Sequence, residues 1–242
     1  MDKKKVVLIT GGATALAKQI ALALSVNYKI IIHYNNSRDE ALALLKEIGD
    51  NNCKIIQADF NKTDPVVFFE RTLSLFNSID IIINASSVFE KLRIEELNKE
   101  ILERYNNIHS TFPLLFSIEL YKYCLKSNKV GVVINISDAQ LDIPGKGRIP
   151  YYLSKNALSY QSKLLASELA PTIRVNEIAP GFTLAKEWEK EYFKRLDNLL
   201  PFKITRVEEI VKAIEYFIDS EQVTGQYLKV DSGLSTLSTK LV

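Results

Sequence analysis

Seven short runs of β-branched residues alternate with longer stretches whose apolar positions recur at helical spacing, and few architectures can absorb such an alternation. Val6–Thr10, Lys29–Tyr34, Lys54–Gln57, Ile79–Asn84, Val130–Ser137, Arg174–Ile178 and Gln226–Val230 read as strands. Leu16–Val26, Arg38–Ile48, Pro65–Leu75, Lys99–Leu125, Tyr151–Leu169 and Val207–Asp219 read as helices. Runs that are apolar almost throughout suit strands covered on both faces, and strand-helix repetition calls for right-handed crossovers. The expected fold is α/β, a doubly wound, mostly parallel sheet of seven strands with helices on both faces, which is the Rossmann-type plan. At 242 residues, 47% of them apolar, the chain can bury one sizeable core, and no repeat or linker marks a second domain. One domain over 1–242 is expected. Its least regular stretch, about 181–206, carries Trp188, Tyr192 and Phe193. That stretch is expected either to cover a ligand as a lid or to dock its aromatics into the core or a subunit contact.

The 31 basic and 29 acidic residues leave a net charge of +2, with no long run of one sign. A nucleic-acid groove or a membrane-binding face is therefore not expected. Cys53 and Cys124 lack the spacing of a metal or redox pair, so no metal site is expected and a reduced, cytoplasmic protein is. Lys3-Lys4-Lys5 before Val6–Ile9 imitates a secretory signal, but Gly11-Gly12 and Lys18-Gln19 interrupt it at once.

The motifs fall where strands end. Thr10-Gly11-Gly12-Ala13-Thr14-Ala15-Leu16-Ala17 follows the first strand and opens a helix. Small residues there let a backbone approach a pyrophosphate, whose charge is met by N–H groups at the helix N-terminus, though a tight Gly-Gly connection has the same signature. Asp59 with Phe60, Asn84-Ala85-Ser86 and Pro180-Gly181-Phe182-Thr183 follow the third, fourth and sixth strands, the edge at which open α/β sheets bind ligands. Tyr151 and Lys155 are four residues apart near the start of a helix and share a face. The ammonium is expected to lie beside the phenol and favour its ionised form, although such a pair is also an ordinary surface arrangement.

Taken together, in this order, these motifs and the closing Val223-Thr224-Gly225…Val230-Asp231-Ser232-Gly233 resemble the short-chain dehydrogenase/reductase family over essentially the whole chain. Most members place serine 13 positions before the tyrosine, and here that position holds Asp138. With Asn84-Ala85-Ser86-Ser87, this is similar to the pteridine reductase branch. Within that branch Ile56-Gln57-Ala58-Asp59-Phe60, Ile108-His109 with Pro113, and Val175-Asn176-Glu177-Ile178-Ala179-Pro180 resemble the bacterial dihydromonapterin reductases, which also reduce dihydrofolate. His109 stands where most of the wider family has asparagine; a satisfied buried histidine at a helix kink is the alternative.

The resemblance implies reduction of a dihydropterin (dihydromonapterin, dihydrobiopterin or dihydrofolate) by NADPH. It implies a catalytic set of Asp138, Tyr151 and Lys155, Lys155 also holding the nicotinamide ribose. The cofactor would be held by Gly11, Ala15, Leu16, Tyr34, Asn35, Asn36, Ser37, Asp59, Phe60, Asn84, Ala85, Ser86, Pro180, Gly181 and Thr183. The pterin would meet Ser86, Val88, Phe89, Tyr151 and Trp188. A homotetramer, or a homodimer, paired through the Lys99–Leu125 and Tyr151–Leu169 helices is implied as well. His33-Tyr34-Asn35-Asn36-Ser37-Arg38 has no acidic residue to bind a ribose 2′-hydroxyl, which favours NADPH over NADH. The chain departs from the branch at Ala15 and Asn36, where arginine is usual, at Ala17 in place of glycine, and at Val88 in place of an aromatic. A short-chain carbonyl reductase acting on a 3-oxoacyl thioester or other ketone, and a catalytically weakened nucleotide-binding protein, are the competing readings.

Overall fold

The computed structural model describes residues 4–143, 145–185 and 190–237. Seven strands form a single sheet: β1 (Val6–Thr10), β2 (Lys29–Tyr34), β3 (Cys53–Gln57), β4 (Ile81–Asn84), β5 (Gly131–Ile136), β6 (Ile173–Pro180) and β7 (Tyr227–Val230). Their order is β3-β2-β1-β4-β5-β6-β7, and every neighbouring pair is parallel. The expected mostly parallel sheet is thus wholly parallel. Its helices are α1 (Ala15–Leu24), α2 (Arg38–Ile48), α3 (Pro65–Phe76), α4 (Lys99–Asn106), α5 (Phe112–Ser127), α6 (Ile149–Glu168), α7 (Lys190–Leu199) and α8 (Val207–Asp219).

Strand alternation divides the interior into two layers. Val7, Ile9, Ile30, Ile32, Ile83 and Ile134 face α1, α2 and α8, whereas Val6, Leu8, Ile31, Ile82, Val133 and Val175 face α3, α5 and α6. Burying an isoleucine or valine fully contributes roughly 1.5–3 kcal/mol, so the two layers dominate the stability. Local signals fix the helix ends. Asp64 accepts hydrogen bonds from Val66 and Val67 N–H to start α3, and Pro65 supplies a preset first turn.

One expectation changes. The helix expected over Lys99–Leu125 is interrupted by a π turn at Asn107–Thr111, whose closing bond runs from Phe112 N–H to Asn107 O. Pro113 explains it: a proline ring would collide with the carbonyl of His109 in a regular α-helix, and a widened turn relieves that contact. Within the irregular 181–206 stretch, Leu196 on α7 and Leu200 just after it cluster with Leu234, while Phe182, Tyr192 and Phe193 pack edge to face. Trp188 lies outside the described residues.

His33, one residue before the end of β2, ties three elements together. Its Nδ1 accepts from Gly11 N–H at 3.1 Å, and its Nε2 donates to the Ala58 carbonyl at 3.1 Å. The ring stacks on Phe60, which stacks in turn on Phe112. Burial pushes the imidazole pKa down to about 4. In that window the unfolded chain binds the proton and the folded chain does not, so stability falls as pH drops from about 6.5 towards 4. The loss is expected to reach on the order of 3 kcal/mol. Urea unfolding across this range should show it, and His33→Gln should flatten the acid side of the profile.

Candidate active site

The ends of β1 and β4 border a cleft of about 440 Å³. Thr10 Oγ1 accepts from both Ala85 N–H (3.0 Å) and Ser86 N–H (3.1 Å), which draws the segment after β4 across the turn after β1. Gly11 makes that approach possible: a Cβ there would sit 2.8 Å from Ser86 Cα, and its φ of +65° is itself disfavoured for side-chain-bearing residues. Above the turn, α1 begins without a side-chain cap and without an acidic residue in its first turn. Its first N–H groups have no partner inside the helix, which suits them to an anion. Ser86 Oγ is buried there with no hydrogen-bond partner.

Gly11, Ala15, Leu16, Tyr34, Asn35, Asn36, Ser37, Asp59, Phe60, Ala85, Ser86, Val88, Tyr151 and Lys155 all line this cleft. Asp59 is also held by its own turn, accepting from Asn61 N–H at 3.0 Å, and this bond pulls its pKa down. Asn84 stands apart. Its amide donates to Asn135, which donates to Ser162 on α6, so the side chain stitches β4, β5 and α6 together instead of facing the cleft. Pro180, Gly181 and Thr183 stand at the neighbouring end of β6, outside the cleft lining, with Gly181 pressed against Asp231. Phe89 is half exposed and meets Tyr151 edge to face at 4.7 Å, with the Arg148 guanidinium over its other side at 4.1 Å.

At the β5 end of the cleft, Tyr151 OH donates to Asp138 Oδ2 at 2.7 Å. Asp138 Oδ1 accepts from Gln140 N–H at 2.7 Å, which fixes the carboxylate in a turn. Lys155 Nζ, fully buried, donates to the Ile136 carbonyl at 2.7 Å. The expected acidification of the phenol is reversed here. Burial first, then the Asp138 charge and hydrogen bond, hold the Tyr151 pKa well above that of a free phenol. Burial lowers Lys155 to about 8, opposed by Asp138 and Glu177. The arrangement is a protonated phenol aimed at a carboxylate, with an ammonium one helical turn away.

A family model described as short chain dehydrogenase matches residues 5–195. The chain belongs to the short-chain dehydrogenases. It is 26% identical to glucose 1-dehydrogenase 2 of Bacillus subtilis (strain 168), over 98% of this chain and 97% of that one. It is 29% identical to the dihydromonapterin reductase of Enterobacter sp. (strain 638), over 94% and 95%. Among solved structures it resembles FolM alternative dihydrofolate reductase 1 from Brucella canis, complexed with NADP, with a TM-score of 0.88 and 29% identity over 98% of this chain and 96% of that one.

Against this short-chain dehydrogenase background, the structure brings Asp138, Tyr151 and Lys155 together with the turn after β1. His109 is satisfied on both nitrogens: Nε2 accepts from Val88 N–H and Nδ1 meets Ser154 Oγ at 2.8 Å. Burial holds its pKa well below the usual histidine value. It acts as a neutral pin that aligns Ser87-Val88 with Tyr151. His33 and Thr10 position the cleft without being among the expected site residues; the signal for His33 was a lone polar ring inside an apolar strand.

Burial costs the Lys155 ammonium more than Asp138 and Glu177 return, so the cofactor-free protein carries a penalty while that group is charged. Because the folded pKa lies below that of an unfolded lysine, the penalty fades as pH rises from about 8 to about 10.5, a gain on the order of 3 kcal/mol. Denaturant titrations on both sides of this window check the sign, and Lys155→Met, which has no ammonium to titrate, should lack the rise.

Proposed function

We propose that this chain is an NADPH-dependent dihydropterin reductase whose catalytic groups are Asp138, Tyr151 and Lys155. The observation that carries the reading is the 2.7 Å Tyr151-to-Asp138 hydrogen bond beside the buried Lys155, where an aspartate replaces the serine usual in the wider family. The NADP carried by the Brucella FolM structure and the name of the Enterobacter relative support the same assignment.

The cleft fits a dinucleotide. Gly11, the uncapped start of α1 and the unpartnered Ser86 hydroxyl suit its phosphates; Asp59 suits an adenine amino group; Asn35, Asn36 and Ser37 offer donors to a 2′-phosphate, and no carboxylate among them repels it. When bound, the cofactor supplies the hydride. Lys155 has donors to spare beyond the Ile136 carbonyl, enough to hold the ribose hydroxyls. Tyr151 keeps its proton at neutral pH and hands it towards N5 of the substrate, while Asp138 orients the phenol and takes part in refilling it. Val88 and Phe89 flank the substrate side, and Pro180, Gly181 and Thr183 close in from β6, with 181–206 as lid of the single domain.

The second reading, reduction of a ketone or sugar, draws on the Bacillus glucose 1-dehydrogenase likeness. A homotetramer is supported by Leu115 on α5 and Leu153, Tyr160 and Leu164 on α6, all exposed on the elements such relatives pair. A cytoplasmic location is supported by two free, buried cysteines and by the absence, among the described residues, of a helix long and apolar enough to cross a membrane.

Purified protein should oxidise NADPH in the presence of dihydromonapterin, dihydrobiopterin or dihydrofolate, followed by absorbance; turnover on ketones alone rejects the pterin assignment. Tyr151→Phe should lower kcat by about 10²–10⁴-fold with NADPH affinity unchanged. Ala15→Arg should tighten NADPH binding about tenfold and leave NADH binding as it is, since a cation gained opposite the 2′-phosphate is worth about that much.

A further inference from the structure

Glu177 is 1% exposed, and among the described residues it is the carboxylate both of whose oxygens are buried without a well-formed hydrogen bond, the Ser137 and Ser159 hydroxyls being its nearest polar neighbours. Strand alternation explains its direction. On β6, Arg174 and Asn176 reach the α8 side, bonding Phe217, Ile218 and Val223 carbonyls, while Ile173 and Val175 join the layer under α5 and α6. Glu177 follows Ile173 and Val175. On α6 the residues Tyr151, Lys155, Ser159 and Lys163 recur every fourth position and form one stripe above it.

The carboxylate therefore lies beneath the stripe that begins at the active-site phenol. Burial pushes its pKa up; the hydroxyls of Ser137 and Ser159 first, and then the ammonium groups of Lys155 and Lys163, draw it down by less. On the far side, Ser159, Lys163, Asp142, Asn156 and Tyr227 line a second cleft of about 280 Å³, and Tyr227 is the β7 residue in register with Glu177. An isolated buried carboxylate is costly unless a charge offsets it, and of the two ammonium groups that act on Glu177, Lys155 is buried and Lys163 exposed.

We infer that Glu177 is a positioning residue for the reaction, a second counter-charge that keeps the buried Lys155 ammonium protonated and turned towards the ribose side of the cleft. This rests on the reductase reading only in giving Lys155 that ribose. The other charged and titratable groups around the pair are Asp138 after β5, Tyr151 and Lys163 on α6, His109 on the π turn, Tyr227 on β7, and Asp142 and Asp231 in the flanking loops. Of these, only Asp138 joins Glu177 in holding the Lys155 proton on.

Side-chain NMR titration of Lys155 in the cofactor-free protein tests the inference directly, with Lys155→Met to assign the signal. The parent midpoint is expected near 8. In Glu177→Gln it should fall by about one pH unit, a tenfold loss of ammonium on the alkaline side. NADPH binding at pH 8, followed by fluorescence, should weaken about three- to tenfold, and the alkaline limb of kcat/KM should move down in step. Glu177→Asp should restore most of the midpoint. An unchanged Lys155 midpoint in a folded Glu177→Gln protein overturns the proposal; if glutamine does not fold, Glu177→Thr takes its place with the same criterion. A parent without turnover sinks the reductase reading while leaving the cofactor-free titration to decide Glu177.

Discussion

Between β1 and β4 the winding of the sheet changes direction, and the placement of every candidate group follows from that change. Strands to one side of β1 run β2 then β3, and to the other β4 through β7, so the connecting helices diverge and leave a crevice at the carboxyl ends. A crevice alone would fill with side chains. Here the Thr10 hydroxyl holds the β4 end over the glycine turn, and His33 holds the turn against β3, so the opening is kept by polar pins instead of apolar packing. Such pins are effective because each is buried and fully used; removing one leaves an unpaired donor or acceptor, which costs more than the bond contributes.

The other half of the site hangs on α6. Its buried face carries Tyr151, Ser154, Lys155, Gln161 and Ser162, a polar face for a helix packed on a sheet. Nearly all of that polarity is spoken for. Ser154 bonds Pro150 and His109, Gln161 bonds Ser110, and Ser162 completes the Asn84-Asn135 chain. The residues with capacity left over are Tyr151, pointed at Asp138, and Lys155, held by one carbonyl. A helix satisfied everywhere except at two side chains presents those two in fixed geometry, which is what positioning for catalysis requires.

The architecture was readable because it is written in periodicities that nothing in the core contradicts: β1, β2, α2 and α8 begin and end where the spacing of their apolar residues places them. The break at Asn107–Thr111 was partly readable, from Pro113, but whether a proline kinks, ends or widens a helix depends on the neighbours that take up its freed carbonyls. Of the candidate site, the residues at strand ends were legible by position. Direction was not. Asn84 and Ser86 are two residues apart, yet one is consumed inside the sheet and the other faces the cleft, a distinction set by the partner Asn135 on another strand. The phenol's pKa follows the same rule: helical spacing reports that Lys155 shares a face with Tyr151, whereas the dominant effects are burial and the carboxylate that follows β5.

These two halves also bear on what the departures from the pteridine reductase pattern mean. Ala15, Ala17, Asn36 and Val88 all belong to the cleft wall built from α1, the β2 end and the β4 end, the half that grips. The half that would move the proton, Asp138, Tyr151 and Lys155, is complete and mutually bonded or enclosed. Ala15 even holds a φ of 48°, a left-handed conformation that costs a side-chain-bearing residue about 1–2 kcal/mol. Had the chain drifted from catalysis to passive nucleotide binding, the burdens to be shed first would be the buried ammonium and the buried carboxylate of Glu177, each of which is costly to take out of water and neither of which a binding module needs. They remain, and the substitutions accumulate instead where they alter how tightly a dinucleotide is held. That distribution separates affinity from chemistry: it accounts for a reductase with a loosened grip, and not for a scaffold that has lost its reaction.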